Sequence, residues 1–425
     1  MKKLLLPISF LLIIQLTFAQ KFNVLDYGAK PNEKILSTEA INKTIEACAE
    51  SGGGTVYFPI GQYLTGTINL KSNVTIEFEK GTIIEGSDKI EDYSHKHAFF
   101  WGEDLENIKI IGEATIDGVD CYNPKGEEGF RGPHCIHLVN CHGIELRGYT
   151  ITRSGNWAHR LRHCSDCLAE NLTVRGGHDA FHPRWCKNFT VRNCDFRTGD
   201  DCFAGNDNID FLIEDIKANT SCNAFRFGCQ NLVVRNVHIW GPGEFIHKIQ
   251  KRNNTLSAFV HFSPEGEKPT NKSGNWLVQN VTIEGVDNAF NYNFKDGLWQ
   301  TGQPATDMVF ENIRIKNVKK AFNIVGDTDR QFKLTIRNAK IGESDDTNFT
   351  EMRFEGRDIN VPAFFNIENF DVLKLENVQF SSNGNAPSLS AQNGNKLVLI
   401  KTKEKNDAQR EPFVYSNIEE VKIGE

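Results

Sequence analysis

The segment CSDCLAENLTV, Cys164–Val174, is followed by CKNFTVRNCDF, Cys186–Phe196, and each is a variant of the other. The same pattern opens at Cys141 (CHGIELRGYTI), at Asn208 (NIDFLIEDIKA) and at Cys229 (CQNLVVRNVHI), so the start-to-start spacings are 23, 22, 22 and 21 residues. Weaker copies begin at Asn73, Asn107, Leu277, Met308, Leu334 and Leu373. A fixed period of this size marks stacked structural repeats rather than a layered domain. Each copy holds β-branched runs of three to five residues broken by Gly, Asn or Asp, which spells short strands joined by tight turns. Three such strands per turn predict an all-β fold, a parallel β-helix whose coils pair strand on strand about 4.8 Å apart. The LxxLxL spacing of leucine-rich repeats is missing.

The repeat assigns several residue classes at once. Cys141, Cys164, Cys186, Asn208 and Cys229 share one column, which reads as a buried ladder of small, weakly polar side chains. Disulfides along it would need a specific geometry, and no Cys/His cluster recurs with zinc-ligand spacing. Phe181, Phe203, Phe225, Phe290 and Phe322 form a second column, read as a core aromatic stack. The Asn-x-Thr triplets at Asn73, Asn171, Asn188 and Asn280 are by-products of the turn-then-strand pattern.

The ends and insertions differ. Residues 1–19 have Lys2 and Lys3 ahead of an apolar run, then Thr17-Phe18-Ala19, the make-up of a cleaved secretory signal peptide. An exported chain, secreted or periplasmic, is expected, with residues 20–425 as a single β-helix domain. STEAINKTIEACAESGGG predicts one short amphipathic helix, capped by Ser37 or Thr38 and stopped at Gly52, that covers the first coil. Cys121–Gly129 and Glu244–Gly274 lack the repeat and read as long loops. Irregular capping coils are expected from about Ser381. The net charge of −7 gives no nucleic-acid footprint, and no later segment is apolar enough for a membrane span. A monomer without cofactor or metal is expected.

The chemistry is concentrated in three stacked stretches. GHDAFH (Gly177–His182), GDDCFA (Gly199–Ala204) and CNAFRFG (Cys222–Gly228) superpose, so that Asp179, Asp201 and Asn223 fall in one column with Asp200 beside them. Like charges at strand spacing raise one another's pKa, a cost more often carried at functional sites than at solvated turns. Glycosidic hydrolysis needs one protonated carboxyl and one carboxylate to activate water or attack the sugar. A calcium site serving a lyase, or glycan binding without catalysis, would use the same residue types.

With these motifs the chain resembles the polygalacturonase-type glycoside hydrolases of family 28, right-handed parallel β-helices of the pectin-lyase type. The resemblance runs from FNVLDYGAKPN at Phe22 through RGPHC at Arg131 and SGNWAHRLRHC at Ser154 to the intact Gly199-Asp200-Asp201. It implies a hydrolase whose partner is a plant or algal polysaccharide or oligosaccharide with acidic or sulfated sugars, in which Asp200 is the proton donor and Asp179 and Asp201 position the attacking water, with inversion. The family's Asn-Thr-Asp appears as Gly177, His178 and Asp179, and its Gly-His-Gly falls on Cys222, Asn223 and Ala224. No Arg-Ile-Lys is present, and FIHKIQKR offers Lys248, Lys251 and Arg252 in its stead. Candidate substrate contacts are therefore Asn223, Arg226, His178, His182, Arg184, Asn206 and Lys248, with Arg226 foremost.

Overall fold

The computed structural model describes residues 20–94, 98–345, 362–383, 385–405 and 410–424. The signal-peptide expectation, residues 1–19, lies outside them. The described strands join in one 29-stranded sheet in which every pairing is parallel. The chain is a right-handed parallel β-helix.

The registers confirm the columns. Phe181 pairs with Phe203 and Phe203 with Phe225. The column then passes through Phe259, Phe290, Phe322 and Phe365. Ring centroids are 4.7 Å apart for Phe203–Phe225, 4.9 Å for Phe225–Phe259 and 4.8 Å for Phe322–Phe365. Phe259 was not in the expected column because Thr255–His261 was read as loop. That segment is a strand, paired with Asn223–Phe227 on one side and with Val286–Asn291 on the other. Its apolar face is too short to show a period, and long insertions on both sides hide its phase.

All eleven cysteines are buried free thiols. In the expected ladder, Cys141, Cys164 and Cys186 donate to the carbonyls of Val139, Arg162 and Arg184 at 3.2–3.3 Å. Asn208 fills the same column by accepting from the Cys186 amide and donating to the Pro183 carbonyl, both at 3.0 Å.

The corners explain the Asn-rich turns. Asn73, Asn171, Asn188 and Asn280 all have φ between 55 and 61°. This left-handed region is tolerated by Asn better than by other side-chain-bearing residues. Stacked corner amides then bond to each other, as Asn107 does to Asn73 at 2.9 Å and Asn280 to Asn236 at 3.1 Å.

Helix α1 spans Thr38–Glu50 and buries Ile41, Ile45 and Cys48 against the first coils. Its Asn42 side chain satisfies the Thr67 carbonyl and the Asn69 amide, sealing an edge strand. Ser37 sits at the cap position, but its hydroxyl accepts from Lys30 rather than from the helix. The expected irregularity after Ser381 is absent among the described residues. Leu389–Ile400 and Phe413–Gly424 continue the parallel ladder in register. Backbone pairing sustains these coils although the last one has little apolar material to bury.

Truncating the aromatic column should cost a full core residue. Phe225→Ala is expected to lower stability by about 3–5 kcal/mol, read from the urea midpoint, whereas a reducing agent should leave the melting temperature of the unmutated protein unchanged.

Candidate active site

Stacking creates the site. The Asp201 amide donates to Asp179 Oδ1 at 3.2 Å, and the Asn223 amide to Asp201 Oδ1 at 3.1 Å. Each acid in the column thus caps the equivalent amide of the next coil, which orients it and offsets part of the repulsion. Asp179, Asp200 and Asp201 each present an oxygen within 4.8 Å of the others. All three border a cleft of about 1060 Å³, with Arg131, Trp157, Arg184, Arg226, His247 and Trp299 among its walls.

The acids differ in exposure and in company. Asp200 retains 15% of its side-chain surface, against 2% for Asp179 and 0% for Asp201, so it is the member best placed to reach a bound sugar. Asp179 accepts from His182 Nδ1 at 2.6 Å. His182 Nε2 accepts in turn from Arg184 Nε at 2.9 Å, which leaves the ring hydrogen on Nδ1. Burial, followed by the charges of Arg184 and Arg226, pushes the His182 pKa well down, so the ring acts as a neutral donor. Its face stacks on Trp157 with centroids 3.8 Å apart. Burial and the charges of Asp200 and Asp201 push the Asp179 pKa well up.

Asp201 is fully engaged. Oδ1 also accepts from Asn223 Nδ2 at 2.9 Å, and Oδ2 accepts from Arg226 Nε at 2.5 Å. The Arg226 guanidinium lies 4.2 Å from the Phe262 ring centroid and 5.2 Å from that of Trp299. Asp200 receives Arg131 Nη2 on Oδ2 at 3.3 Å and the Asp201 amide on Oδ1 at 3.1 Å. Burial by itself would raise the Asp200 pKa. The His247 contact and the charges of His247, Arg131 and Arg226 outweigh it and hold the carboxyl well below the usual range.

His247 was not anticipated. Its Nδ1 accepts the amides of Ile249 and Gln250 at 3.2 and 3.1 Å, so the hydrogen sits on Nε2, which faces Asp200 Oδ1 at 3.6 Å. The position matching the family histidine, Asn223, instead supports Asp201. Arg131 was also missed as a site residue. It reaches Asp200 while bonding Glu128, Asn156 and His178. Both lie in or beside segments without the repeat, and no periodic signal aims such residues. Trp157, Phe262 and Trp299 escaped for the same reason.

The other expected contacts divide. Arg184 and Arg226 line the cleft, but each is bound to a carboxylate, Glu267 and Asp201 respectively. His178, His182 and Asn223 are buried behind the wall as supports. Asn206 is buried away from the cleft, and among the described residues its side-chain amide has no hydrogen-bond partner. Lys248 pairs with Asp120 and lies against Gly177. Arg252 is spent on the Ser221 and Asn254 carbonyls.

The acid trio has the donor types for a hard cation, and Asp200, Cys222 and His247 form a second close group. The surroundings do not suit one. Arg131 and Arg226 already supply the positive charge, and His247 Nε2 carries a hydrogen where a ligand needs a lone pair. The set fits proton transfer better than cation binding.

Comparison with known proteins accords with this picture. Residues 21–226 match a family model described as rhamnogalacturonase A/epimerase, pectate lyase-like. The chain is 30% identical over 116 residues to an exo-poly-alpha-D-galacturonosidase of Dickeya chrysanthemi, covering 23% of this chain and 19% of that protein. It is 25% identical over 313 residues to the probable rhamnogalacturonase A of Aspergillus oryzae, covering 70% and 61%. The chain therefore spans less than two thirds of these relatives. In structure it resembles the polygalacturonase of Erwinia carotovora, with a TM-score of 0.62 at 15% identity, covering 79% of this chain and 96% of that one. The class is that of pectin-lyase-type β-helices. Within it, the chain is similar to polygalacturonases and rhamnogalacturonases over the matched residues.

The burial of Asp201 makes its arginine partner essential. Arg226→Met is expected to destabilise by about 3–5 kcal/mol in urea unfolding, and adding Asp201→Asn should recover part of that loss.

Proposed function

We propose that the protein is an exported glycoside hydrolase that cleaves a pectic polysaccharide. Asp200 donates the proton to the leaving oxygen, and Asp179 and Asp201 orient the attacking water. The observation that carries this reading is the trio of carboxylates, within 4.8 Å of one another on one cleft wall, each oriented by separate donors. Export rests on the character of residues 1–19, and the described residues contain no helix long and apolar enough to cross a membrane.

One oxygen of each acid lies within 4.8 Å of the others, closer than the roughly 6.5–9.5 Å between the carboxyls of most inverting enzymes, so this spacing is not the ground for inversion. No sugar ring fits between these acids, so leaving oxygen and water are served from the same wall. Inversion follows the family resemblance. Before substrate arrives, the raised pKa of Asp179 and the lowered one of Asp200 favour a proton on Asp179. Burial is the largest single influence on Asp200 and it raises the pKa. For Asp200 to act as the acid, binding of the sugar must reverse this order and pass the proton from Asp179 to Asp200.

The decisive experiment incubates the mature protein with polygalacturonan and rhamnogalacturonan. Saturated reducing ends of inverted anomeric configuration, followed by NMR, are the expected product, and an unsaturated product absorbing in the ultraviolet would replace hydrolysis with elimination. Asp200→Asn should lose about 10²–10⁴-fold in kcat while keeping its circular dichroism. Removing a donor from Asp200 raises its pKa, so His247→Ala should move the alkaline limb of the kcat–pH profile upward. An unmoved limb would separate His247 from the acid.

A further inference from the structure

The outward face of the sheet continues beyond the acid trio. On strands His134–Val139, His159–Arg162 and Phe181–Arg184, His137 pairs with Arg160 and Arg160 with His182, while Arg162 pairs with Arg184. His182 is the residue that holds Asp179. Arg160 and Arg162, two positions apart on one strand, share a face. They lie one coil, about 4.8 Å, on the N-terminal side of His182 and Arg184.

These two arginines are treated unlike their neighbours. Arg131, Arg184 and Arg226 each meet a carboxylate. Among the described residues, Arg160 and Arg162 have no carboxylate within ion-pair distance, and the buried Nε of each has no acceptor. Arg160 has only a ring nitrogen, His134 Nε2, 3.4 Å from Nη1. Its guanidinium is 5.7 Å from the Trp157 centroid, and that of Arg162 is 5.1 Å from the Trp185 centroid. Burial, reinforced by the charges of Arg184 and Arg160, pushes the Arg162 pKa down to about 9, and burial lowers that of Arg160. Glu127 and Glu267 act on Arg160 and Arg162 only from beyond ion-pair distance; a half-buried cation pair so incompletely compensated is costly, and a buried donor without acceptor calls for an explanation. Water and the two ring faces could meet part of that cost. An oxyanion would meet all of it, because the guanidinium fork matches carboxylate and sulfate geometry. Trp157 also lines the catalytic cleft, so Arg160 adjoins that cleft through this ring.

We propose that Arg160 and Arg162, flanked by Trp157 and Trp185, form an oxyanion subsite that holds the carboxylate or sulfate of a sugar unit on the N-terminal side of the acid trio. The inference rests on the hydrolase reading for the identity of the bound polymer, and on the unmatched arginines for the charge it must carry.

The test measures binding by calorimetry in the full chain carrying Asp200→Asn, which stops turnover. Trigalacturonate, its carboxyl-reduced neutral counterpart and a sulfated galactan trimer are the probes. Arg160→Gln and Arg162→Gln should each weaken trigalacturonate about tenfold or more and leave the neutral trimer unaffected. Arg162→Lys keeps the charge but loses the fork, so it should fall between, and it serves if a glutamine variant fails to fold. Arginine-dependent binding of the sulfated trimer alone would keep the subsite and make sulfate its ligand. Equal affinities in parent and variants for both anionic probes would overturn it. Reducing-end release by the chain with Asp200 intact is measured in parallel. Arginine-dependent binding without release would retain the subsite and reject the hydrolase. Release with unchanged binding in the variants would do the reverse.

Discussion

Parallel, in-register backbone pairing between coils of about 22 residues is the constraint on which the molecule depends. It turns sequence separation into spatial adjacency. Residues 179 and 201, distant along the chain, become strand neighbours, and the same rule lines up the phenylalanines and thiols inside. A ladder of this kind tolerates wide variation in side chains. It continues through the polar last coils because amide and carbonyl groups, rather than apolar residues, set the register.

The same adjacency forces three acids together, and the site consists largely of the means by which that is tolerated. Every carboxylate oxygen of Asp179 and Asp201 accepts a hydrogen bond from an amide, an imidazole, a carboxamide or a guanidinium. Unequal surroundings then separate the acids. Asp179, deep and beside like charges, is driven toward the neutral form, whereas Asp200, facing Arg131 and His247, is driven toward the charged one. Division of labour among chemically identical groups requires this kind of asymmetry. Arginine performs two tasks on this surface. Beside the trio it neutralises acids, while one coil away, among the described residues, Arg160 and Arg162 have no carboxylate within ion-pair distance.

Much of this was legible in the sequence. The period announced the β-helix, α1 showed its apolar face, and Asp179, Asp200 and Asp201 emerged from superposing three segments. Periodicity is a backbone property, so it survives in one dimension. Some of the readings that needed correction lie where the period lapses. Thr255–His261 looked like loop because insertions flank it, and Lys248 looked available because its partner Asp120 lies 128 positions away. Asn223, inside the repeat and expected as a substrate contact, donates its side-chain amide to Asp201.

By itself the sequence determined the coil, the order of the columns and the identity of the acids, because strand pairing at a constant repeat leaves those no freedom. The tertiary structure alone decided which protons sit where. His247 and Arg131 arrive from segments whose paths no repeat dictates, and a hydrogen bond depends on fractions of an ångström that a pattern of residue types does not encode.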